Sequence, residues 1–120
     1  MDSVLRAKSE DAKFGVYFIG TTPPRDGVPL EKVEEVANKL VARLDKIDFD
    51  GLIVYDIQDE SSRTDVTRPF PFNKTFEPCH YSQMLGYKTK KPVITYKSVA
   101  SRDESEFNQW LDNSWQLYGV

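Results

Sequence analysis

Three apolar runs of this 120-residue chain end in residues that can do chemistry. "FGVYFIG" is followed by Thr21, Thr22 and Arg25, "GLIVY" by Asp56, Gln58, Asp59 and Glu60, and "PVIT" by Tyr96, Lys97 and Ser98. Asp56, Asp59 and Glu60 form a carboxylate group of the kind that holds Mg2+ through oxygen, or that separates its pKa values to give an acid and a base. Asp56 and Glu60 are the candidate proton donors; the plainer alternative is a solvated loop that caps a helix. Lys97 is a Schiff-base candidate if it turns into an apolar interior that lowers its pKa, and a water-facing edge lysine if it does not. Arg63 and Arg68 flank an aromatic loop and suit either a bidentate clamp on phosphate or carboxylate or loop-anchoring salt bridges. With Thr21 and Thr22 they are the candidate substrate or anion contacts.

Other chemistries lack their residues. Cys79 is the only cysteine and His80 the only histidine, so an intrachain disulfide, a cysteine cluster and a histidine-rich zinc site are excluded, and no metal site is expected. Neighbours on a helix point about 100° apart, so Cys79 and His80 make a poor nucleophile and base pair. No glycine-rich phosphate loop and no Gly-x-Ser-x-Gly elbow is present. The net charge is −3 with no Lys/Arg block, which removes the electrostatic footprint for nucleic acid or an anionic membrane. The apolar runs are too short to span a bilayer and residues 1–13 lack the apolar core of a signal peptide, so the expected compartment is the cytoplasm.

The elements that must position these residues alternate. Residues 1–12 carry charged Asp2, Arg6, Lys8, Glu10 and Asp11 and are expected as a flexible, weakly helical N-terminal segment. A domain spans 13–120. Its first strand, "KFGVYFIG", ends at "TTPPRDG", where two prolines lack amide donors and Gly27 permits positive φ. Leu30, Val33, Val36, Ala37, Leu40, Val41, Leu44 and Ile47 recur at intervals of three and four, an amphipathic helix opened by Pro29. A second strand follows in 51–60, then an aperiodic connection, 61–76, with aromatic Phe70, Phe72 and Phe76. A short helix over 77–88 leads to the strand "KPVITYKSVA". The last helix has an Asp103/Glu106 capping box, Phe107, Trp110, Leu111 and Leu117 inward, and Gly119 as its C-cap. This order predicts an α/β fold, a parallel βαβαβα unit resembling the first three strands and helices of a (βα)8 TIM barrel. Two open sheet edges follow, which suggests homo-oligomer pairing or, as an alternative function, a non-enzymatic interaction module.

"FIGTTPPR", "GLIVYDIQDESSRTD" and "KPVITYKSV", in this order, resemble the methylenetetrahydrofolate reductase family over most of residues 13–120. The resemblance implies a flavin-dependent oxidoreductase of one-carbon, folate and methionine metabolism: a barrel holding FAD, taking hydride from NAD(P)H and reducing a small-molecule folate substrate. It implies flavin contacts at Tyr55 and Thr95. Pro23, Pro24 and Arg25 match the family's signature, but its catalytic glutamate position is Gly20, its flavin-contacting histidine position is Val93, Val54 replaces a usual hydroxyl, and Asp56 replaces glycine. Glycine offers no proton, so the isolated chain is expected to be a truncated or divergent relative without the reductase activity.

Overall fold

The computed structural model describes residues 3–11, 13, 15–57, 73–98 and 103–118. The expected α/β class and the parallel βαβαβα order are what it has. The chain runs α1 (Ser3–Glu10), β1 (Phe18–Thr21), α2 (Leu30–Leu44), β2 (Gly51–Val54), α3 (Pro78–Thr89), β3 (Val93–Thr95) and α4 (Glu104–Asn113), which ends in a π-helical turn, Ser114–Tyr118. The strands form one parallel sheet in the order β1-β2-β3, with Gly20 opposite Ile53, Thr21 opposite Val54, and Val54 opposite Thr95. Parallel neighbours need a long crossover, and the connections that hold α2 and α3 supply it.

Successive residues of a strand face opposite ways, and this separates the sheet into two surfaces. Leu52 and Val54 of the central strand face the helices and are fully buried against Val33, Ala37 and Leu44 of α2 and Tyr81 and Leu85 of α3. Ile19 and Val93 pack on the same cluster from β1 and β3. The expected stripe of α2 is shorter than its spacing suggested: Leu30 and Ile47, at its ends, are half exposed. Pro29 serves as the N-cap rather than the first helical residue, its carbonyl accepting from the amides of Lys32 and Val33.

The opposite surface carries Phe18, Gly20, Gly51, Ile53, Tyr55, Ile94 and Tyr96, of which Gly20, Tyr55 and Tyr96, toward the carboxyl ends of the strands, are exposed. Its two glycines lie under aromatic rings. A Cβ on Gly51 would stand 2.9 Å from Phe18 Cε1, and one on Gly20 would stand 2.6 Å from the Tyr55 hydroxyl oxygen. Both outer edges of the sheet, on β1 and β3, are unpaired among the described residues.

Within the N-terminal segment, expected as flexible and weakly helical, Ser3 to Glu10 form a helix. Leu5 is buried, and Lys8 meets Asp50 at 2.6 Å, where Asp50 also accepts the Tyr17 amide. At that end of the sheet a cavity of about 290 Å³ is lined by Leu5, Lys8, Phe49, Asp50, Lys91 and Pro92, among others. No described helix is long and apolar enough to cross a membrane.

Leu52 is the point where α2, α3 and the sheet meet. Leu52→Ala should lower the unfolding free energy by about 3 kcal/mol in urea titration, from lost transfer energy and the cavity left behind; a loss below about 1 kcal/mol would contradict this packing.

Candidate functional site at the carboxyl ends of the strands

Parallel α/β architectures place function where strands end, and here that edge is built by three stitched segments. The proline-rich stretch after β1 runs beside residues 74–76: the Asp26 amide donates to the Lys74 carbonyl, Arg25 bridges Thr75, and the Phe76 amide donates to the Pro24 carbonyl at 2.7 Å. Thr75, nearly buried, is tied to the end of β2 as well, its amide donating to the Ile57 carbonyl at 3.1 Å. The Pro-Pro-Arg segment is therefore held in place, with Pro23 buried and Arg25 exposed.

The same stitching delivers Glu77 to the start of α3. Pro78 takes the first helical position, where its missing amide costs nothing, and Glu77 caps the helix by accepting the Cys79 amide at 3.2 Å. Its carboxylate also accepts from Trp110 Nε1 and from Lys97 Nζ, each at 3.2 Å. The Lys97 side chain is 5% exposed and that of Asp56 3%; their charged atoms stand 3.9 Å apart, and the ammonium lies 5.1 Å from the Trp110 ring centroid. Asp56 further accepts the Ser98 amide at 2.7 Å. Burial alone would raise the Glu77 pKa, but the Lys97 charge and the hydrogen bonds from Trp110 and Cys79 outweigh it and hold the carboxyl below its ordinary value. Burial pushes the Cys79 thiol up, which makes it an inert packing residue.

Two sequence readings are corrected by this cluster. Lys97 is neither a water-facing edge residue nor a Schiff-base lysine open to substrate; it is a buried cation between carboxylates on the helix-covered side of the sheet. Asp56 has the parity of Leu52 and Val54, so it lies on that same side, and its carboxylate is taken up by Ser98 and Lys97. Its carboxylate is thus placed on the side of the sheet away from Gly20.

The open side is different. Tyr55 and Tyr96 are 37% and 50% exposed, and their rings meet edge to face with centroids 5.5 Å apart and planes at 78°. Tyr55 lies diagonally across β1 over Gly20. Thr22 is exposed one residue past β1, whereas Thr21 shares the helix-side parity of Val54. Thr95 also faces the helices, donating to the Ser82 hydroxyl at 2.6 Å. Tyr55 and Thr95, matched by resemblance to flavin contacts, thus stand on opposite faces of the sheet. Glu60, Arg63 and Arg68, with Gln58, Asp59, Phe70 and Phe72, lie outside the described residues, as does Gly119. Among the described residues no group of three or more His, Cys, Asp or Glu gathers as metal ligands.

Sequence reasoning missed Glu77 and Trp110 as members of the cluster. The visible signal was local: an acid immediately before a proline at a helix start marks a cap. Of the last helix, Phe107 and Trp110 are half-buried and stack at 5.9 Å, but Leu111, expected inward, is 44% exposed. The Asp103 cap is present, accepting the Glu106 amide at 2.8 Å.

The acid response of Glu77 has a definite sign. A carboxyl held below its ordinary value of about 4.5 adds stability above that value, and the contribution is lost as pH falls through the depressed folded value. Lowering the pH from about 7 to about 3 should therefore reduce the urea midpoint more in the wild type than in Glu77→Gln. Equal reductions would contradict the paired state of Glu77.

No family model matches the chain, and no curated protein does. Among solved structures it is similar to a protein of Clostridium thermocellum, described as uncharacterized and as binding two copies of 5-methyl-5,6,7,8-tetrahydrofolic acid, with 28% identity over 88% of this chain and a TM-score of 0.66. This chain spans about a third (32%) of the length of that protein.

Proposed function

We propose that the chain is a reduced-folate-binding (βα) unit, whose ligand is of the 5-methyltetrahydrofolate class and lies against Tyr55 and Tyr96. The observation that carries this reading is the likeness, over most of the chain, to a protein that binds 5-methyltetrahydrofolate. The chemistry of the strand ends supports it. A reduced pterin joins a planar, hydrogen-bonding aminopyrimidinone ring to a puckered reduced ring, and two half-exposed tyrosine rings at nearly a right angle offer the planar ring one face to stack on and one edge to abut. The glutamyl carboxylates of a folate need a cation, and exposed Arg25 stands in the loop that follows β1.

The ligand class comes from that likeness and agrees with the folate substrate that the resemblance to the methylenetetrahydrofolate reductases implies; the flavin is left aside. The two positions matched to flavin contacts face opposite ways, the position of the family's acid is Gly20, and no redox step is assigned to the chain.

Titration with 5-methyltetrahydrofolate, followed by quenching of intrinsic fluorescence and by calorimetry, should show saturable binding. Tyr96→Ala should weaken it about tenfold, with little change in the unfolding midpoint, since the ring is half exposed. Absence of saturable binding in the wild type would remove the proposal.

A further inference from the structure

The close approach of Tyr55 to Gly20 does more than fill space. We infer that Gly20 and Tyr55 act as one ligand-reading unit: the bare Cα of Gly20 lets the Tyr55 ring lie across β1, so that a neutral phenol hydroxyl stands where a side chain of residue 20 would otherwise project. The inference rests on the folate reading above and deepens it by naming the contact that reads the polar edge of the pterin.

The two residues meet directly. A Cβ on residue 20 would lie 2.6 Å from the Tyr55 hydroxyl oxygen, 2.7 Å from Cε2 and 3.0 Å from Cζ. Real side chains do not tolerate such distances, so any residue but glycine there must push the ring aside. The ring is braced on its other side by the edge-to-face contact with Tyr96, and the Tyr55 amide donates to the Thr21 carbonyl at 3.0 Å, which fixes the backbone from which the ring departs. Among the described residues nothing hydrogen-bonds the Tyr55 hydroxyl, which leaves it able to donate to, and accept from, a ring nitrogen or carbonyl of the ligand. Gly20 is in this account a positioning residue, and Tyr55 the binding residue it positions.

Two acids among the described residues at this end are engaged elsewhere. Asp56 is turned to the other face, and Glu77 is committed to Lys97, Trp110 and the Cys79 amide. The contact that the Tyr55 hydroxyl offers is a phenol rather than a carboxylate, which suits a ligand whose ring is neutral and whose charges are on its glutamyl tail.

A double-mutant cycle tests the coupling, with 5-methyltetrahydrofolate as the probe and affinity from calorimetry. Gly20→Ala and Tyr55→Ala should each weaken binding about tenfold or more, and the double variant should be no weaker than Tyr55→Ala alone, because the alanine acts only through the ring. Tyr55→Phe, which keeps the ring and its packing, should lose several-fold in affinity without a change in unfolding midpoint. Wild-type affinity in Gly20→Ala, effects that multiply in the double variant, or wild-type affinity in Tyr55→Phe would each overturn the inference while leaving the folate reading intact. A wild type that does not bind the probe would remove both.

Discussion

One buried ammonium fixes the working end of this molecule. Taking a lysine out of water is costly unless carboxylates and hydrogen bonds compensate, and Lys97 has Glu77 at 3.2 Å, Asp56 at 3.9 Å and the Trp110 ring beside it. The consequence reaches through the sheet. Asp56 follows Tyr55 and Lys97 follows Tyr96, and consecutive strand residues face opposite ways. The ion pair on the covered side and the two tyrosines on the open side therefore hang on the same two stretches of backbone, held in register by the Tyr96 amide on the Val54 carbonyl at 2.9 Å. Glu77 ties the start of α3 into the same arrangement, and Trp110 ties in α4, none of whose described side chains is fully buried.

The elements themselves were legible in the sequence, for physical reasons that differ between them. The apolar spacing in α2 predicted its buried stripe from Val33 to Leu44 because a helix under a sheet must bury one face. Alternation of strands and helices predicted the parallel sheet because parallel neighbours cannot be joined by a tight turn. What the sequence did not reveal depends on parity and on partners distant in the chain. Whether Asp56 or Tyr55 faces the open side is set by register, where a shift of one residue reverses every side chain. The partners of Lys97 come from the start of α3 and the middle of α4, 20 and 13 positions away in sequence, and no local pattern announces them. The Thr95 hydroxyl donates to Ser82, a contact that exists only because α3 packs on β3.

The Pro-Pro-Arg segment gains a clearer role. Prolines remove donors from the chain, and here the Pro24 carbonyl and the backbone of Arg25 and Asp26 are used to pin residues 74–76 alongside the end of β1. That pinning places Glu77, and Glu77 places Lys97. Local turn chemistry, a helix cap and a buried charge thus form one chain of causes, whose last member is the aromatic corner above Gly20.

The central claim is that this corner holds a reduced folate. The most direct test is to map backbone and tyrosine-ring NMR shifts of the isotope-labelled chain on addition of 5-methyltetrahydrofolate. The account predicts saturable changes centred on Gly20, Thr22, Tyr55 and Tyr96. Changes confined to the opposite end of the sheet, around Lys8, Phe49 and Lys91, or no changes at all, would contradict it.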